Sequence, residues 1–212
     1  MKFKRHLVTS KNLANLGIIV STIFLLSQIF EMILSAFVYD YYSINNISDL
    51  IFDCFTIVFY LIVINNFIKC KDNLFFGFYS ILLLIISNYI LPLITSIISG
   101  ALQLLIIIPS ITSAIAVVYF IFLCIENKKR TPKSVKWLKI IGIIFALLSI
   151  AYGIFLLVDT IQSFILIVDS GYIDIKNVFS LIVYLIFCLN MIIGQPLIFG
   201  FYPFVLYKER YL

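Results

Sequence analysis

Charge is scarce in this chain. Only 12% of its 212 residues are Asp, Glu, Lys or Arg, about half the share found in a soluble domain. With 63% hydrophobic residues and a mean hydropathy of +1.16, that shortage excludes a water-soluble enzyme and a disordered segment. Histidine occurs once, at His6, and the four cysteines (Cys54, Cys70, Cys124, Cys188) form no C-x-x-C pair. A metal centre therefore lacks ligands, and the cysteines are expected as small apolar fillers rather than a disulfide framework. No polar stretch of about 50 residues exists to make a soluble domain, so residues 1–212 are read as one membrane domain.

Catalytic signatures are missing too. The chain has no H-E-x-x-H, no G-x-S-x-G, no paired glutamates with a downstream histidine, and no Walker-type glycine loop. No catalytic residue and no resident cofactor is expected.

What is present is long apolar runs. Charges and turn residues separate six of them, at 13–39, 47–68, 74–91, 101–125, 137–168 and 178–207. A helix needs about 20 apolar residues to cross the hydrocarbon core, whereas a barrel strand needs about 10 that alternate. Helices also satisfy their own backbone hydrogen bonds, which lipid demands. The expected fold is an all-α integral membrane protein, a bundle of six transmembrane helices. The first run is too long for the apolar region of a signal peptide, about 7–15 residues, and is read as a retained span.

Basic residues set the orientation. Lys2, Lys4, Arg5 and Lys11 precede the first run, and Lys69 and Lys71 follow the second. Lys128, Lys129, Arg130, Lys133, Lys136 and Lys139 follow the fourth, and Lys208 and Arg210 close the chain. Six spans place all of these on one side and leave only Lys176 opposite. The positive-inside rule then puts both termini in the cytoplasm, with the plasma membrane the expected location. The inner side sums to a net +11 and the outer to −6, together the +5 of the whole chain. Such a surface attracts anionic lipid headgroups, so the pI near 9.0 calls for no nucleic-acid partner.

The tetrapeptides F-Y-L-I at Phe59, V-Y-F-I at Val118 and V-Y-L-I at Val183 recur in the second, fourth and sixth runs. They suggest three helical hairpins related by duplication.

Polar residues inside spans are costly, so their helical phase carries information. Ser21, Gln28, Glu31 and Ser35 share one face, as do Asp49, Asp53, Thr56 and Tyr60, and Tyr152, Asp159 and Gln162. Two readings stay open. Glu31, Asp53 and Asp159, with Gln28 and Gln162, line one outer-half site for a cation, a proton or a cationic substrate; or the acids stand separately solvated at the outer interface. Gly142, Ala146, Ser149 and Gly153 form a small-residue stripe, expected either as an internal helix contact or as a seam to a membrane-protein partner or second copy. Pro109, and Pro196 behind Gly194-Gln195, are expected to kink their helices.

In size and topology the chain is similar to the substrate-binding subunits of vitamin-uptake (energy-coupling-factor) transporters. It departs from them in lacking the A-x-x-x-A coupling motif within Leu13–Tyr39. The expected function is a small transporter or transporter subunit; the alternative is a non-catalytic membrane protein working through protein or lipid contacts.

Overall fold

Continuous apolar sequence punctuated by short polar turns gives rods rather than layers. The computed structural model describes residues 9–37, 47–90, 94, 107–169 and 175–211. Within these, the side chains of residues 31, 34–37, 47–53, 107–110, 129, 175 and 176 lie outside the description. Every described element is helical: α1 (Ser10–Phe37), α2 (Ile47–Cys70), α3 (Leu74–Ile85), α4 (Ile107–Lys129), α5 (Pro132–Asp169), α6 (Ile175–Leu189) and α7 (Gln195–Tyr211). A π segment, Ile86–Ile90, prolongs α3, and another, Asn190–Gly194, joins α6 to α7 in one rod. Among the described residues four stretches are long and apolar enough to cross a membrane: Ser10–Phe30, Ile111–Lys128, Pro132–Asp169 and Asn177–Tyr211. The apolar helices Cys54–Cys70 and Leu74–Ile90 are shorter.

The helix ends follow from local chemistry. Thr9 caps α1, its Oγ1 accepting the Asn12 N–H at 3.2 Å, and Asn73 caps α3 by accepting the Phe75 N–H at 3.0 Å. At α5, Thr131 Oγ1 accepts from Ser134 N–H (3.2 Å) while Ser134 Oγ accepts from Thr131 N–H (3.3 Å). That is a reciprocal cap with serine in the usual glutamate place, followed by Pro132 at the first helical position. α4 stops at Arg130, whose backbone adopts a left-handed φ of 48° and whose N–H reaches the Glu126 carbonyl at 2.8 Å.

The C-terminal rod sits centrally. α7 packs on α1, α3 and α5; α2 lies outside α1 and α3; α4 lies against α5 more closely than against α3. The fully buried aromatic side chains of the core, Phe24, Phe67, Tyr89, Tyr119, Phe145, Phe199 and Tyr202, are spread over six elements, so the core ties every layer to the central rod.

One end of the bundle collects the basic segments. Ser10 N–H donates to Glu209 Oε1 at 2.9 Å, joining the start of α1 to the end of α7. One groove is lined by Asn73, Arg130 and Glu209, so the α2–α3 and α4–α5 turns lie there too. Beside them the buried Glu126 takes Arg210 Nη1 through both oxygens, at 2.9 and 3.0 Å.

Pro109 is the third residue of the described α4, and the preceding turn, where its expected kink falls, lies outside the described residues. Pro196 is the second residue of α7, directly after the π segment; there Gln195 N–H reaches back five residues to the Asn190 carbonyl. The wider π turn makes room for a ring that would otherwise strike the preceding turn.

Candidate functional site

Between the C-terminal half of α5 and α6 lies an open groove of about 460 Å³. α5 contributes Asp159, Thr160, Ser163, Phe164 and Ile167; α6 contributes Asn177, Ser180, Leu181 and Tyr184. Helical spacing puts each set on one face, and small hydroxyl side chains there keep the two helices from closing by apolar packing. Thr160 turns its hydroxyl to the Leu156 carbonyl at 2.7 Å. Asp159 is exposed and is the only charged side chain among the lining residues.

Gln28 lines a second, smaller crevice of about 180 Å³ with Phe24, Ser27, Tyr60, Val183, Tyr184 and Phe187. Tyr184 belongs to both. Asp159 and Gln28 are thus brought to neighbouring crevices with one tyrosine between them rather than into a single pocket. Gln162 is exposed and lines neither. The Glu31 and Asp53 side chains lie outside the described residues. Their helices α1 and α2 do not flank α5, whose principal neighbours are α4, α6, α7 and the second π segment.

The small-residue stripe of α5 faces inward. A Cβ at Gly142 would meet the Phe199 carbonyl and Tyr119 at 3.2 Å, and one at Gly153 would meet the Ile192 side chain at 2.6 Å and backbone nitrogen at 3.0 Å. Ala146 stands opposite Gly200, and Ser149 is fully buried. The stripe therefore seats α5 on the C-terminal rod, and a seam to a second chain is not what these four positions form.

Between the grooves the bundle is closed by a buried polar seam built on the two π segments. Tyr89, in the first, donates to Gln195 Oε1 at 2.7 Å and lies 2.9 Å from the Ser149 hydroxyl. Asn190, in the second, donates through Nδ2 to the Val20 carbonyl at 3.0 Å, and Tyr60 donates to Asn88 Oδ1 at 2.8 Å. Phe145 and Phe199 stack at 4.8 Å, with Tyr89 edge-on to Phe145 at 4.9 Å. Sequence reasoning missed Asn88, Tyr89, Asn190 and the Glu126–Arg210 pair. Asn190 and Asn88 carried a usable signal, since an amide within an apolar run needs a partner.

Compared with protein-family models, curated proteins and solved structures, the chain matches none. Function has to be argued from the site alone.

Among the described residues no group of three or more His, Cys, Asp or Glu side chains could hold a metal ion. What the α5–α6 groove offers is one carboxylate, hydroxyl and amide groups of either hydrogen-bonding sense, and aromatic faces. This set suits reversible binding of a small cation-bearing molecule: charge from Asp159, hydrogen bonds from Thr160, Ser163, Asn177 and Ser180, and a π face from Tyr184.

Proposed function

We propose that the protein is a six-span membrane protein with both termini in the cytoplasm, acting as a small transporter or transporter subunit. Its solute occupies the α5–α6 groove. The observation that carries the reading is that groove: its volume, about 460 Å³, lies in the range of ligand clefts, roughly 300–1,000 Å³. Asp159 faces it with no basic side chain among the lining residues, which favours a cationic solute. The gathering of basic segments at the other end of the bundle supports the orientation, with the groove toward the outside, the plasma membrane as location and anionic lipids against the inner face.

The test is ligand-dependent stabilisation and uptake. Tetramethylammonium, guanidinium and ethanolamine are screened against the purified protein by melting temperature, then offered as labelled solutes to proteoliposomes. At least one should stabilise the protein and enter the vesicles, with both effects lost in Asp159→Asn and weakened in Tyr184→Leu, which removes the π face. Equal responses of wild type and Asp159→Asn would reject the groove as the site.

A second reading, a non-catalytic protein working through contacts with other membrane proteins or lipid, draws on one observation. α5 has 38 residues and is about 57 Å long, far more than the roughly 30 Å hydrocarbon core. Its exposed Ile161, Ile165 and Leu166 form an apolar flank near the outer end that a partner would cover.

A further inference from the structure

At the basic end of the bundle, opposite the proposed solute groove, a cleft of about 450 Å³ is lined by Asn73, Leu74, Phe75, Arg130, Glu209 and Arg210. The carboxylates around it are already engaged. Glu209 accepts the Ser10 N–H at 2.9 Å, at the positive end of the α1 dipole, and Glu126 is held by Arg210 through Nη1 alone. Arg130 is different. Its guanidinium is exposed, its Nε makes a long 3.4 Å bond to the Asn127 carbonyl, and among the described residues no carboxylate pairs with it. Two guanidiniums therefore share the cleft with two carboxylates, Glu209 on its wall and Glu126 beside it, but among the described residues only Arg210 is ion-paired, and the Arg130 fork stays open to a ligand.

The rest of the lining fits an anion attached to something apolar. α3 begins at the cleft, so the positive end of its dipole, marked by the Asn73 cap, adds to the field there. Lys71 lies two residues before Asn73, and Lys128, Lys129 and Lys133 flank Arg130 in the chain. Leu74 and Phe75 supply an apolar wall beside these charges. Planar guanidinium forks match phosphate oxygens in geometry and charge.

We infer that this cleft is a binding site for a phosphate-bearing anion, with Arg130 as its principal contact and Arg210 as the second. Leu74 and Phe75 are placed to cover the glycerol and upper acyl portion of a phospholipid headgroup; a free phosphate would leave them bare.

Arg130 permits a clean test because of its backbone. At φ 48° glycine is the residue of least strain, so Arg130→Gly removes the guanidinium and relaxes the turn. The full-length protein in neutral detergent is titrated with phosphatidylglycerol, phosphatidylcholine or inorganic phosphate, and read by melting temperature and by lipid adducts in native mass spectrometry. Wild type should bind phosphatidylglycerol in preference to phosphatidylcholine and melt higher with it. Arg130→Gly should bind it about tenfold more weakly while melting, without lipid, at or above the wild-type temperature. Arg130→Gln, which keeps the strained backbone, should lose binding equally. Stabilisation by inorganic phosphate to the same extent would retain the site and name free phosphate as its source. Equal phosphatidylglycerol binding by wild type and both variants, or no response to either probe, would overturn the inference.

Discussion

Tyr119 donates its hydroxyl proton to the Phe199 carbonyl at 2.9 Å, across the α4–α7 interface. That carbonyl is four residues before Pro203, so the helix has no N–H to offer it. A tyrosine from another helix completes the hydrogen bond that the proline removed, at a site where the Tyr119 and Phe199 side chains are both fully buried.

The consequence is a coupled pair. Tyr119→Phe leaves a buried carbonyl unsatisfied and should cost about 1–3 kcal/mol, read as a lowered melting temperature in detergent. Pro203→Ala restores the N–H but loses the ring that packs near Gly142. In the double variant the tyrosine change should cost much less than it does alone, because the carbonyl is satisfied within the helix. Additive losses would show that the hydroxyl bond contributes little.

Glycine positions where α5 meets the C-terminal rod should respond differently. Gly153→Ala drives a methyl into Ile192, side chain and backbone, at 2.6 and 3.0 Å, and should destabilise by about 1–3 kcal/mol. Gly200→Ala meets only the Ala146 methyl, at 3.6 Å. It gains helix propensity, up to about 1 kcal/mol, and should leave the melting temperature unchanged or raised.

The helical rods were legible in the sequence because each is one uninterrupted apolar run, and the described ends fall within a few residues of charge and turn boundaries such as Lys71-Asp72-Asn73. Polar stripes gave the helical phase of Tyr60, Gln28 and Asp159 but not which rods are neighbours. The C-terminal rod packs between α1 and α5, and no period within a single run encodes that order. The π segments escaped for a similar reason. They depend on Asn190 finding the Val20 carbonyl and on Tyr89 finding Gln195, partners 170 and 106 residues away.

Burial makes the Glu126–Arg210 pair asymmetric. Arg210→Ala strands a carboxylate whose side chain is 3% exposed, and should cost about 3 kcal/mol, the lower end for a broken buried pair because the arginine is itself 22% exposed. Glu126→Gln leaves the cation partly in water and should cost less. Melting temperatures ranking Arg210→Ala below Glu126→Gln below wild type are expected; the reverse order of the two variants would mean that Glu126 is hydrated in the folded protein.

The six-span orientation is open to direct labelling. The Ser10–Glu209 bond and the cleft joining Asn73 to Arg130 put four basic segments at one end of the bundle, and lysine and arginine are retained on the cytoplasmic side. Cys54 and Cys124 are exposed and must first be replaced; Cys70 and Cys188 are buried. In that background, cysteine at Thr131 or Glu209 should react with an impermeant maleimide only after the membrane is opened, whereas cysteine at Ser43 or Ser170 should react in intact cells. Reaction of position 131 from outside would reverse the bundle and move the Asp159 groove to the cytoplasmic face. Reaction of positions 43 and 131 from the same side would leave an even number of crossings between them, and the three spans counted there would be wrong.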